Sequence, residues 1–141
     1  MTALALESKP LSLEDWASVV GRIGFALLFL WSGYTKFAYM APNVGYMQAY
    51  GMPAAAILIW PAALVEVVAG LMLVTGWKTR WAALALIVFT VPATVIFQAY
   101  WSVPADQVLN HHIHFIKNLA ILGGLLAVFA QGGGSYALNR R

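Results

Sequence analysis

The sequence predicts an all-α membrane protein: a four-helix antiparallel transmembrane bundle with both termini cytoplasmic. Three observations carry this reading. The chain is 62% hydrophobic, only 9% of its 141 residues are charged, and its apolar residues gather into four long windows. A soluble domain needs about a quarter of its residues charged to cover its surface, so at a mean hydropathy of +0.77 the surrounding solvent is lipid. The length allows one compact domain, residues 1–141, with no room for a separate soluble module. No cysteine is present, which excludes disulfides, thiolate metal sites and dithiol exchange.

A hydrocarbon core of roughly 30 Å needs about 20 mostly apolar residues as a helix. Windows that meet this fall near residues 16–37, 54–74, 81–100 and 113–130. The fourth is short and can extend backwards through the histidines that precede it. The first is expected to be retained rather than cleaved as a signal peptide, because Glu7, Glu14 and Asp15 precede it and no small-residue cleavage pattern follows. Between the first two windows, Tyr46 and Tyr50 suit a short interfacial turn, since amphipathic aromatics favour the headgroup level. Residues from Gln131 to Arg141 read as a tail.

Orientation follows from the basic residues, which are in excess on the cytoplasmic side. Lys9, Arg22, Lys78, Arg80, Arg140 and Arg141 fall on one side, and Lys36 and Lys117 on the other. The run from His111 to Lys117 is then expected at the outer face.

Ionisable and polar residues inside apolar helices are the informative ones. Arg22, Phe29, Gly33 and Lys36 share one face of the first window at 3.6 residues per turn, and Glu66 shares a small-residue face with Ala62, Ala69 and Gly70. In the third window Thr90, Thr94 and Gln98 align beside Pro92; in the fourth, His111, His114 and Asn118 form a stripe with Lys117 to one side. Counting from the cytoplasmic helix ends places Arg22 and Glu66 at similar heights, which predicts a structural ion pair between them. An unpaired Glu66 would instead take up a proton, given the cost of an isolated charge in low dielectric. Lys36, Gln98, His114, Lys117 and Asn118 form an outer polar layer suited to an anion, a polar headgroup or a carbonyl-bearing ring. The competing readings are structural: snorkelling for the two lysines and interfacial solvation for the histidines. No metal site is expected, because Asp106 is the only obvious acid near the histidines and no metalloenzyme signature is present.

Gly-Arg-Ile-Gly at 21–24, Ser-Gly-Tyr-Thr-Lys at 32–36, Glu66 with Val-Ala-Gly at 68–70, Thr-Gly-Trp-Lys-Thr-Arg at 75–80, Lys-Asn-Leu-Ala-Ile-Leu-Gly-Gly at 117–124 and Gly-Gly-Ser-Tyr-Ala-Leu at 133–138 resemble, in order and spacing, the DoxX family of small bacterial membrane proteins. The matching positions are Arg22, Gly33, Lys36, Glu66, Gly70, Gly76, Arg80, Lys117 and Asn118; the His-His-Ile-His run at 111–114 is not part of the resemblance. The resemblance implies a four-helix bundle in the bacterial inner membrane. It also implies a link to membrane redox systems, since relatives include a subunit of a thiosulfate:quinone oxidoreductase.

Three function classes follow. In the first, the protein is an inner-membrane subunit of a quinone-linked oxidoreductase. Its outer polar layer then binds membrane quinone: Lys36, Gln98, Lys117 and Asn118 hold the ring, and His114 and Glu66 handle protons. No covalent cofactor is expected, so electrons would come from a soluble or membrane redox partner. The second class is a non-catalytic scaffold that anchors a soluble partner. The third is a small transporter, which would need a homodimer to build a path. No nucleic-acid partner is expected.

Overall fold

A computed structural model describes residues 10–138. Lys9, Arg140 and Arg141, on which part of the orientation argument rests, lie outside the described residues. Five helices follow one another: α1 (Leu13–Ala38), α2 (Met40–Ala49), α3 (Ala55–Thr75), α4 (Thr79–Phe97) and α5 (Ala105–Gln131). All but α2 are long and apolar enough to cross a membrane. At 1.5 Å per residue, the ten residues of α2 extend only about 15 Å, half a bilayer core.

Each boundary has a local cause. Ser12 caps α1: its hydroxyl accepts from the Asp15 backbone amide at 3.2 Å, while the Asp15 carboxylate accepts from the Ser12 amide at 3.1 Å. The next segment is a helix where the sequence suggested a turn. The Asn43 side-chain amide donates to the carbonyls of Tyr39, at 2.8 Å, and Thr35, at 3.2 Å. That pins α2 to the end of α1, and Met47 then buries against Ala55 and Ile59 at the start of α3. Gly76 stops α3 at φ 71°, and Lys78 enters α4 at φ 46°. A Cβ on Gly76 would lie 2.6 Å from both Ala137 Cα and Arg22 Nη1, so this turn needs glycine for conformation and for space.

Helix α1 packs along α3, α3 beside α4, and α4 along α5. The α1–α3 approach is close because Gly33 and Gly70 carry no side chain: a Cβ there would stand 2.6 Å from Val67 Cγ2 and 2.8 Å from Leu30 Cγ respectively. Ala26, Phe29, Ala69, Leu73, Ala82, Leu86 and Leu125 form the buried core in the half of the bundle nearer the chain ends. Outward, Leu27, Trp31, Ile57, Val88 and Leu126 are exposed, a belt that only a bilayer covers.

Arg22 does not pair with Glu66. Its Nη1 donates to the carbonyl of Leu73 at 3.0 Å, within the last turn of α3, and its Nη2 reaches the carbonyl of Tyr136 at 3.5 Å. The contacts of Gly33 with Glu66, of Gly70 with Leu30 and of Arg22 with Leu73 fix the register. Together they show that the first two turns of α1 project past the end of α3. Counting heights from helix ends therefore brought Arg22 and Glu66 together wrongly. Arg22 serves instead as a cap for the negative end of α3 and as an anchor for the returning segment, where the Leu138 amide also donates to Thr75 at 3.3 Å.

Candidate functional site: a polar-ended cavity beneath α2

The half of the bundle that lacks the packed core holds a cavity of about 600 Å³. All four spanning helices contribute walls, and α2 closes the end through Asn43, Tyr46 and Met47. Most of the lining is apolar; each of the five helices nevertheless contributes at least one polar group, Lys36, Asn43, Glu66, Thr90 and Asn118 among them.

At its centre is an ion pair from neighbouring helices. Lys36 Nζ lies 2.7 Å from Glu66 Oε2, with side-chain exposures of 18% and 4%. Ser32, one turn before Lys36, ties the pair together. Its hydroxyl donates to Glu66 Oε1 at 2.9 Å and accepts from Lys36 Nζ at 2.9 Å. A carboxylate this deep holds its charge only with such partners, and among the described residues Lys36 and Ser32 are the ones bonded to it. Opposite, Asn118 Nδ2 donates to Thr94 Oγ1 at 3.0 Å, which itself donates to the Thr90 carbonyl at 2.7 Å. Thr90 lines the cavity and its own buried hydroxyl has no partner. The cavity thus offers an ammonium, an amide, a carboxylate and a free hydroxyl to one small polar group.

Of the residues singled out from sequence, Lys36, Glu66, Gln98 and Asn118 line this cavity. His114 and Lys117 do not: both are exposed on the outside of α5. The interior face of α5 runs through His111, Asn118 and Leu125, and His114 lies to one side of that line. Because Asn118 meets Thr94 and Arg80 meets Ala130, the start of α5 overshoots the end of α4. The histidines therefore lie at and beyond the level where α4 ends, with His112 and His114 exposed. His111 alone turns inward, with Nε2 3.3 Å from the Tyr50 hydroxyl. Tyr50 in turn bonds Tyr46, and burial first, then the Tyr50 bond, push the Tyr46 phenol up to about 12. Ser32 and Asn43 were missed from sequence; Ser32 lies one turn from Lys36, the spacing that could have flagged it.

The cavity has a side opening. Leu58 of α3 and Ile96 of α4 line it and yet are 41% and 37% exposed. Pro61 and Pro92, inside the same two helices, also line it from exposed positions.

Comparison with known proteins agrees with this architecture. The DoxX family profile matches residues 17–99. The chain is 32% identical over 123 residues to inner membrane protein YphA of Escherichia coli, covering 87% of this chain and 88% of that protein. It is 31% identical over 128 residues to inner membrane protein YqjF of the same organism, covering 91% and 93%. A shorter match, 29% over 80 residues, reaches a Surfeit locus protein 4 homolog of Schizosaccharomyces pombe and covers 55% of this chain and 26% of that protein. No solved structure matches. With the family match extending over three of its four spanning helices, the chain belongs to the DoxX family and is a multi-pass inner-membrane protein.

Proposed function

We propose that this protein is the quinone-binding subunit of a membrane redox system and that the cavity beneath α2 receives the quinone ring. The observation that carries the reading is an apolar chamber of about 600 Å³ with a paired cation and carboxylate, an amide and an unbonded hydroxyl at one level. That volume lies within the range of small-molecule pockets, about 300–1,000 Å³. A quinone carbonyl accepts from Lys36 or Asn118, and the hydroxyl of the reduced ring donates to Glu66 or Thr90, so the same wall serves both oxidation states. His114 and Lys117 have no part in this, since both point away from the chamber. Electrons come from a soluble or membrane redox partner, because a chain without cysteine has no dithiol to relay them. Lys78 and Arg80 at the turn between α3 and α4 support an orientation with the chain termini in the cytoplasm and the α2 end at the outer face.

Gentle purification, solvent extraction and mass spectrometry test this. Near-stoichiometric quinone is expected in the wild type and in His114→Ala and Lys117→Ala, with loss in Lys36→Ala and in Asn118→Leu, which leaves the ion pair intact. Quinone no more abundant than in bulk membrane would overturn the reading and favour a scaffold that anchors a soluble partner.

A further inference from the structure

A ligand whose polar head reaches Glu66 must enter between elements of the bundle, and the wall made by α3 and α4 offers an apolar way in. Between α1 and α3 the helices approach to the limit that Gly33 and Gly70 allow. The Asn118–Thr94 bond closes the seam between α4 and α5. Across the end lies α2, held by Asn43 and packed on Ala55 and Ile59. Nearer the chain ends, α3 and α4 are sealed together by Ala69, Leu73, Ala82 and Leu86. Above that seal these two helices carry four side chains that both line the cavity and face outward, Leu58, Pro61, Pro92 and Ile96, whereas α1 and α2 contribute one each, Leu28 and Tyr46.

The prolines fall at nearly the same height, counted from the shared turn at Gly76. Each removes a backbone donor and lets its helix bend. In lipid this interruption is tolerated where the freed carbonyl faces a cavity or a neighbour. The opening they flank is apolar on both sides, has no charged side chain at its edge, and faces the hydrocarbon at mid-helix. It is continuous with the polar chamber, between Leu58 and Val65 on one side and Ala93 and Ile96 on the other.

Resting on the quinone reading, we infer that the α3–α4 cleft is the groove for the isoprenoid tail, and the lateral route by which quinone exchanges between the bilayer and the chamber. The chamber holds the ring and the first part of a tail; the remainder has this exit and lies along branched side chains of matching shape.

The test compares two probes in nanodiscs, at matched mole fraction in the lipid: a ubiquinone bearing several isoprene units and the same ring with a methyl group in place of the tail. Wild-type protein should bind the tailed probe at least tenfold more tightly. In Leu58→Trp/Ile96→Trp, which fills the mouth from exposed positions, affinity for the tailed probe should fall at least tenfold while the tail-less ring still binds; retained ring binding also shows that the bundle is folded. Leu64→Trp, exposed on α3 but outside the cavity lining, should change neither. Equal wild-type affinity for the two probes, or tailed binding undiminished in the double variant, overturns the groove while leaving the quinone reading in place. Failure of the wild type to bind either probe overturns both.

Discussion

The ion pair at the centre of the cavity allows a quantitative prediction. In Lys36→Met, Glu66 at 4% exposure keeps one of its two donors, the Ser32 hydroxyl at 2.9 Å. Stranding one partner of a buried pair costs about 3–5 kcal/mol, and the surviving Ser32 bond puts this variant near the lower end. The reverse change, Glu66→Leu, leaves an ammonium that is 18% exposed, still bonded to Ser32, and able to extend on its apolar stem, so its cost is about 1–2 kcal/mol. Replacing both partners with apolar side chains removes the stranded charge, and the double variant should lie within about 1 kcal/mol of wild type. A double-mutant cycle should therefore give a coupling of about 3–5 kcal/mol. Equilibrium unfolding in mixed micelles by increasing SDS, followed by circular dichroism, measures all four corners. If the double variant loses as much as the two single variants combined, the pair is not coupled and the account of the buried site is wrong.

Three further outcomes follow. Gly76→Ala should destabilise the protein by about 2 kcal/mol or more, from the left-handed backbone and the collision with Ala137 and Arg22, seen as a lower melting temperature. Arg22→Gln should loosen the returning C-terminal segment, raising hydrogen exchange at the Leu138 amide at least tenfold while exchange in mid-α3 changes little; equal protection in both would refute the anchor. Tyr50→Phe should cost about 1 kcal/mol and shift the His111 ring resonances but not those of His114.

Hydropathy made the four spans legible because the bilayer demands length and apolarity together. It allowed the fourth span to extend back through the histidines, but not the further turn and a half by which α5 begins at Ala105. Helix α2 was harder to see: Pro42 and Gly45 look like turn residues, yet Pro42 occupies the third helical position, where its missing amide would have no intrahelical partner. The site was only half legible for a related reason. In a soluble helix the inward face is the apolar one, but lipid-facing and core-facing positions in a membrane helix are equally apolar, so periodicity does not tell which side Asn118 or His114 faces. The polar types at Lys36, Glu66 and Asn118 carried the signal; their partners did not, because the choice of Lys36 over Arg22 depends on the α1–α3 offset set by Gly33 and Gly70. That offset is a packing property, written in small residues rather than in hydropathy.

The most direct test of the quinone cavity is photo-crosslinking with an azido-quinone in native membranes, followed by peptide mass spectrometry. Adducts on the cavity-facing parts of α3 and α4, around Leu58 to Glu66 and Phe89 to Gln98, competed away by unlabelled quinone, are the expected result. Competed adducts confined to the exposed side of α5 around His114 and Lys117 would contradict the account and return the site to the outer rim.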